Sequence, residues 1–190
     1  MKFAYVSGNP ALDLAGTVEF RRSGDPVDVL ATPEDLERWV TRCDELPDRV
    51  TVEPTAFDSA LALREALYGL ALARVHARPF APRDLKTVNT TAAHPTLTVT
   101  LSDAGVRTSG DLPAVLSHLA RSGIALLADP HARLKECGGA TCTRLYLDRS
   151  RGARRTWCGM EECGNRVKSA TYRERRRTSR PTRERPAHRG

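Results

Sequence analysis

Four of the five cysteines in this chain stand close together in its C-terminal third, as two pairs. Cys137 and Cys142 form the first pair and Cys158 and Cys163 the second, with four residues inside each pair and fifteen between the pairs. Each pair can offer two thiolates from one tight turn, and the spacer can fold back to bring the pairs together. Four thiolates in a tetrahedron are a ligand set of structural zinc sites, which leave no open coordination position. The spacing therefore predicts one structural Zn²⁺ per chain, bound by all four cysteines.

Two disulfides are one alternative for these cysteines, and four unrelated buried thiols are another, which their clustering disfavours. The first residues of the chain lack the apolar segment and cleavage site of a secretory signal, so we expect a cytoplasmic location. A reducing compartment disfavours disulfides and favours a metal site. Glycines beside the cysteines fit such a site, because positive φ helps backbone N–H groups to turn towards sulfur. They are Gly138, Gly139, Gly159 and Gly164.

The second cysteine pair lies in a distinctive stretch from Trp157 to Lys168, with Asp148-Arg149-Ser150-Arg151 and Arg154-Arg155 before it. This stretch resembles the bacterial CGNR zinc-finger family, which is named after the Cys-Gly-Asn-Arg that stands here at Cys163–Arg166. The resemblance implies a zinc finger at the C-terminal end of the chain.

A second resemblance lies near the N-terminus, in residues 12–18. They are similar to the Leu-Asp-aromatic-x-Asn-Thr signature that opens the ABATE domain, with Leu14 at the aromatic position and Gly16 at the Asn position. That domain usually precedes a CGNR finger and is described as a stress-induced transcription regulator. The resemblance therefore implies a helical regulatory module and a role in transcription.

Charge is divided unevenly along the chain. Residues 1–130 hold 13 Lys and Arg against 17 Asp and Glu, a net charge of −4, whereas residues 131–190 hold 17 against 6, a net charge of +11. An acidic body joined to a basic module is typical of nucleic-acid-binding proteins. The alternative is that the basic residues only form a solvated helix end. The candidate contacts are Arg149, Arg151, Arg154 and Arg155 on a predicted hairpin, and Arg166, Lys168, Arg173, Arg175, Arg176 and Arg177 on a predicted helix.

The patterns predict a mainly α N-terminal domain with a small β-hairpin (residues 1–130), followed by a treble-clef-like four-cysteine zinc finger (131–178). A basic tail (179–190) is rich in Arg and Pro and is expected to be disordered in isolation. In the finger, we expect strands at 145–147 and 155–157 to pair around a turn with positive φ at Gly152, and a helix to follow from Gly164 to about Arg177. Trp157 and Tyr146 are expected to pack over the metal, with base stacking by Trp157 as the alternative.

Apolar periodicity and capping residues predict helices in the first part of the chain. They run over 10–20, from Thr32 through Cys43, over 55–77, from Pro82 onwards and over 112–128, and Cys43 is expected to be a small buried hydrophobic residue. Strands are predicted at 97–101 and 106–108, in a hairpin that packs on the helices or pairs across a dimer.

Asp13 and Thr17 lie four residues apart on the first predicted helix. We interpret them as a capping and solvated pair. The alternative is that they form the polar wall of a ligand pocket.

These patterns favour a zinc-dependent, DNA-binding transcription regulator whose finger contacts DNA and whose helical domain dimerises or senses a small-molecule effector. The alternative is an RNA-binding or protein-interaction module whose helical domain binds a small ligand. An enzyme is not expected, because the five histidines are scattered and a four-cysteine zinc site has no open position for water. No apolar run approaches the ~18–20 residues of a membrane span, so no membrane partner is expected. Redox sensing through the thiolates is left open.

Overall fold

The computed structural model describes residues 3–164. We call residues 3–130 the body and residues 131–164 the finger. The described chain is mainly helical and carries short antiparallel strand pairs. In chain order its elements are α1 (Pro10–Ala15), β1 (Val18–Glu19), β2 (Val27–Asp28), α2 (Pro33–Val40), α3 (Pro54–Val75), α4 (Pro82–Ala92), β3 (Thr98–Ser102), β4 (Gly105–Ser109), α5 (Leu112–Ala128), β5 (Leu134–Glu136), β6 (Leu145–Leu147) and a π-helical turn (Met160–Gly164).

Three helices begin where the sequence predicts, each at a polar capping residue. The Asn9 side chain accepts a hydrogen bond from the backbone N–H of Ala11 (3.0 Å) at the start of α1. Thr32 and Asp35 form a reciprocal capping box at α2. Asp111 caps α5. Because such caps satisfy N–H groups that have no partner inside the helix, they can be read from local sequence.

The first helix is shorter than predicted. It ends at Ala15 instead of Phe20, and Val18–Glu19 pairs with Val27–Asp28 as β1 and β2. β-Branched Val18 fits this extended pairing, which takes the place of the last part of the predicted helix. Helix α2 also ends early, at Val40, so Cys43 follows the helix, although it is buried as predicted.

Helix α3 lies at the centre of the body and packs against α1, α4 and α5. Its buried face carries Leu63, Leu67 and Leu70, which belong to a core that also includes Trp39 and Leu119. Within residues 3–164, none of the helices combines the length and apolar character needed to cross a membrane.

The hairpin of β3 and β4 pairs in register from Thr98 with Ser109 to Ser102 with Gly105. The predicted hairpin is confirmed, but the expectation that it packs against the helices is wrong for the residues that follow Leu97. Val99, Leu101 and Val106 are 66%, 82% and 69% exposed.

In the finger, β6 pairs with β5, with Lys135 opposite Tyr146. The predicted pairing of residues 145–147 with 155–157 is wrong. The backbone of the second segment is used elsewhere, since Thr156 O accepts from Gly138 N (2.9 Å) and Arg155 O accepts from the Tyr146 hydroxyl (2.7 Å). The predicted helix from Gly164 lies outside the described residues, apart from the turn that ends at Gly164.

The finger contacts two parts of the body, the N-terminal segment before α1 and strand β1. Leu147 N donates to Ser7 O (2.8 Å), and Arg155 Nη2 donates to Val6 O (2.7 Å). The guanidinium of Arg144 pairs with the Glu19 carboxylate at 2.5 Å. These contacts join residues that are up to 149 positions apart in the chain.

Candidate metal centre and arginine loop

The four cysteine Sγ atoms all lie within 4.8 Å of one another, and those of Cys142 and Cys158 are 3.9 Å apart. Sulfur atoms around a tetrahedral zinc with Zn–S bonds of about 2.3 Å are separated by about 3.8 Å. The thiols are not joined as disulfides. Their spacing and chemistry therefore fit one structural zinc ion held by Cys137, Cys142, Cys158 and Cys163.

Short turns bring the four sulfur atoms together. In the first pair, Cys137 N donates to Arg144 O (2.9 Å) and Cys142 N donates to Gly139 O (3.0 Å). In the second pair, Cys163 N donates to Gly159 O (3.1 Å). The backbone N–H of Cys158 donates to the sulfur of Cys137 (3.3 Å), which links the two pairs directly.

The electrostatics of the four thiols favour a bound cation. Hydrogen bonds from Cys142 and Cys158 lower the pKa of the Cys137 thiol, so one thiolate is stabilised by its neighbours. Hydrogen bonds with Cys137 and Cys142 raise the pKa of Cys158, and burial followed by the nearby negative charges raises that of Cys163. Without a metal, the four thiols cannot all be ionised. A divalent cation supplies the charge that lets all four act as ligands.

Glycines beside the cysteines act by their small size. The expectation of positive φ at these glycines is wrong for Gly138, Gly139 and Gly164, whose φ angles lie outside the left-handed region. A Cβ at position 139 would lie 3.0 Å from Cys142 Cβ and 3.4 Å from Cys163 Sγ. Gly139 therefore allows the backbone to pass close to the metal site.

Tyr146 is fully buried against the cysteine cluster, and Trp157 and Val6 pack on it. Burial and then the Asp148 carboxylate raise the pKa of Tyr146 to about 12. The prediction that the two aromatic rings pack around the metal site is confirmed. Val6 adds a contribution from the body to this small core.

Residues 148–155, which we call the arginine loop, are organised by an ion pair between half-buried Lys135 and buried Asp148. The side chain of Asp148 has no exposed surface and accepts from Lys135 Nζ (2.7 Å), Ser150 N (2.9 Å) and Ser150 Oγ (2.6 Å). Lys135 Nζ also donates to Ala153 O (2.6 Å) and Arg155 O (3.2 Å). The hydrogen bonds that the Asp148 carboxylate accepts lower its pKa, and the bond from Lys135 has a larger effect than those from Ser150.

The turn of the loop carries two left-handed residues. Gly152 has φ +76°, as predicted, and Ala153 has φ +52°. Because non-glycine residues adopt this conformation at a cost, the surrounding hydrogen bonds hold Ala153 in place.

The structure divides the four arginines predicted on this loop into two groups. Arg149, Arg151 and Arg154 are exposed, and their side chains form no ion pair or hydrogen bond within residues 3–164. Arg155 is half-buried. It donates to the carbonyl oxygens of Val6, Trp157 and Cys158, and its guanidinium stacks over the Tyr146 ring, 4.5 Å from the ring centroid. The other six predicted contacts, from Arg166 to Arg177, lie outside the described residues.

Asp13 and Thr17 are buried, so the expected solvated pair is wrong. The Asp13 carboxylate accepts from Ser7 N (2.9 Å), and the Thr17 hydroxyl donates to Leu14 O (2.7 Å). Burial raises the pKa of Asp13 to about 6, against the lowering effect of its hydrogen bonds from Ser7. Both side chains thus have partners inside the body.

Sequence reasoning missed the polar residues that support the site: Lys135, Arg144 and Asp148. Lys135 and Arg144 bond to carboxylates on other segments, those of Asp148 and Glu19, so no local spacing identifies these pairs. The signal that could have found two of them is their position next to the ligands, since Lys135 stands two residues before Cys137 and Arg144 two residues after Cys142.

Comparison with known families agrees with this geometry. A family model for ABATE, described as "Putative stress-induced transcription regulator", matches residues 8–130. A model for the CGNR zinc finger matches residues 133–176. No curated protein shows a significant match to the chain.

Proposed function

The chain belongs to the ABATE family and carries a CGNR zinc finger, and from this premise we propose that it is a zinc-dependent regulator of transcription that binds DNA through its finger. The observation that carries the proposal is the arginine loop. Arg149, Arg151 and Arg154 project from six consecutive residues, and within the described part of the chain none has an acidic partner. Three uncompensated guanidinium groups on one rigid loop suit a phosphate backbone.

The order of the loop favours this function over simple solubility. Its backbone is held by the Asp148–Lys135 pair and by Ser150 Oγ, which accepts from the N–H groups of Arg154 (3.1 Å) and Arg155 (3.2 Å). A loop fixed before binding loses less conformational entropy when it meets a ligand. The Asp148–Lys135 pair thus prepares the exposed arginines for contact.

Residues 165–190 extend the same positive surface in sequence, with ten Lys and Arg against two Asp and Glu. We include Arg166, Lys168, Arg173 and Arg175–Arg177 in the proposed contact surface. Arg155 is left out, because its guanidinium is occupied by backbone carbonyls.

The test is the binding of random-sequence duplex DNA at about 100 mM salt, where phosphate contacts dominate non-specific affinity. A variant with Arg149, Arg151 and Arg154 changed to Gln should bind at least about tenfold more weakly and show a salt slope smaller by up to about 3. The matched control changes three exposed arginines of the body, Arg49, Arg78 and Arg107, to Gln and should bind like the wild type. Equal losses in both variants would reject the arginine loop as the contact surface.

Competition with structured RNA at matched salt distinguishes the alternative nucleic acid. We expect RNA to displace duplex DNA poorly. Preferential binding of RNA would replace the proposed DNA partner by an RNA partner while keeping the same loop as the contact surface.

We further propose that the body self-associates through the β3–β4 hairpin. Val99, Leu101 and Val106 lie on one face of the hairpin, because Leu101 pairs with Val106 and Val99 is two residues before Leu101. A two-stranded hairpin with an exposed apolar face is marginal alone and gains from a partner. Sedimentation should give a dimer for the wild type and a monomer for Leu101→Lys. Thr100→Lys, on the opposite face, should remain dimeric, and a wild-type monomer would reject this proposal.

A further inference from the structure

Arg144 is a buried cation between the metal site and the body. Only 8% of its side chain is exposed, and its Nη2 atom lies 2.5 Å from Oε1 of Glu19 on β1. Burying a guanidinium is costly unless anionic or hydrogen-bonding partners surround it. Glu19 supplies one such partner, from 125 positions away in the chain.

Two of the metal-binding cysteines lie beside Arg144. Arg144 lines the same cavity of about 20 Å³ as Glu19, Cys142 and Cys163. Arg144 therefore lies between the carboxylate of Glu19 and the cavity that Cys142 and Cys163 line.

The charge of the metal site explains why a cation at the position of Arg144 is favourable. Four thiolates around one divalent cation carry a net charge of −2, and the four cysteines are 0–9% exposed. Buried negative charge of this size is stabilised by nearby N–H donors and cations, which also orient the ligands. Arg144 places a positive charge at the cavity that Cys142 and Cys163 line.

Gly16 leaves the space that Arg144 occupies. A Cβ at position 16 would lie 3.2 Å from Nε and 3.3 Å from Cγ of Arg144. The body therefore contributes both the carboxylate that holds the guanidinium and the space beside it. Val6 of the body also packs on the cysteine cluster.

We propose that Arg144 is a positioning residue for the zinc thiolates and that Glu19 of the body holds it in place, so that the zinc affinity of the finger depends on its contact with the body. The proposal does not rest on DNA binding. Its consequence is that the finger is not an autonomous metal-binding unit. A substitution in β1 of the body should therefore change the zinc affinity of the finger.

The first test is the zinc affinity of the full chain, measured by competition with a chromogenic chelator. Arg144→Met should bind zinc about 10- to 100-fold more weakly, as is usual when an outer partner of a metal ligand is lost. Arg133→Met removes the same charge from an exposed position of the finger that lies outside the proposed DNA contacts, and it should retain wild-type affinity. If Arg144→Met does not accumulate as folded protein, Arg144→Gln replaces it, with the same expectation. Wild-type affinity in the neutral variant would overturn the proposal.

A spectroscopic measurement separates positioning from a merely structural role. With Co²⁺ in place of zinc, the sulfur-to-metal charge-transfer band reports the electrostatic environment of the thiolates. At saturating Co²⁺, loss of the Arg144 charge should move this band to longer wavelength, because the sulfur electrons are then less stabilised. A weaker affinity with an unmoved band would show that Arg144 only supports folding, and would overturn the proposal.

A double-mutant cycle tests the role of Glu19. Glu19→Ala should lower zinc affinity severalfold in the wild-type background and cause no further loss in Arg144→Met, since its effect passes through Arg144. Equal losses in both backgrounds, or a gain in affinity on removal of the carboxylate, would overturn the part assigned to Glu19.

Discussion

The ammonium group of Lys135 lies 2.7 Å from the buried carboxylate of Asp148 and links the first cysteine pair to the arginine loop. Lys135 stands on β5 two residues before Cys137, and Asp148 directly follows β6. The same ammonium group donates to two carbonyl oxygens of the loop, those of Ala153 and Arg155. One ion pair thus connects the metal site with the surface that we assign to DNA.

Asp148→Asn tests this connection, because its expected effect is opposite to that of net charge. Removing an acidic group normally strengthens binding to DNA. Here we expect duplex affinity to fall about fivefold, or ~1 kcal/mol, because Lys135 loses its partner and the loop loses its order. Fluorescence anisotropy at constant salt measures the change. Asp103→Asn, in the exposed hairpin turn, serves as the charge-matched control, and stronger binding by both variants would contradict the prediction.

Arg155 and Arg151 should respond differently to the same substitution. Arg155→Met leaves three backbone carbonyls without their donor, so we expect a loss of about 2 kcal/mol or more in the free energy of unfolding. For a chain of this size that corresponds to a fall in Tm of about 4–8 °C. Arg151→Met should leave Tm unchanged and weaken DNA binding. Thermal unfolding of the two zinc-loaded variants decides the matter, and an unchanged Tm for Arg155→Met would show that its guanidinium is free for other partners.

Removal of zinc should be reported by one of the two tryptophans. Trp157 packs on the cysteine cluster, whereas Trp39 lies fully buried in the core of the body. We expect elemental analysis to find one zinc per chain and a chelator to change the tryptophan fluorescence. Far-UV circular dichroism should keep most of its helical signal, because the helices described here lie in the body.

Two variants control this experiment. Trp157→Phe should lose the fluorescence response to the chelator, and Cys163→Ser should bind zinc more weakly or not at all. A response that persists in Trp157→Phe would mean that the core of the body also depends on the metal.

Asp13 should make the stability of the protein fall with rising pH across a defined window. Its folded pKa is raised to about 6 from an ordinary value of 3.8, so between these values the folded state binds more protons than the unfolded state. The stabilisation from Asp13 is therefore complete below about pH 3.8 and is lost as pH rises to about 6. The total loss is on the order of 3 kcal/mol at most.

Urea unfolding of the wild type and Asp13→Asn at several pH values between 4 and 7 measures this effect. The wild type should lose stability relative to the variant as pH rises, and the difference cancels the acid sensitivity of the metal site that both proteins share. A constant difference in the free energy of unfolding between the two proteins across this pH range would show that the pKa of Asp13 is not raised in the folded state.

Helix starts and the ligand set could be predicted because their causes are local. A capping side chain such as Thr32 or Asp111 bonds to N–H groups two or three residues away. The cysteine pairs require only a short turn each, so their spacing predicts the metal. The end of α1 could not be predicted, because it depends on the pairing of Val18–Glu19 with Val27–Asp28.

The sequence by itself determined the four zinc ligands, the helical character of the body and the charge difference between its two parts, because composition and short spacings decide these properties. Only the tertiary structure decided what each arginine does. Arg155 meets Val6 across 149 positions and Arg144 meets Glu19 across 125, while Arg151 stays exposed. The same type of side chain can thus stabilise the contact between finger and body, lie beside the metal site or stay exposed, depending on which residues the fold packs beside it. Those neighbours are set by long-range contacts, which no local sequence pattern contains.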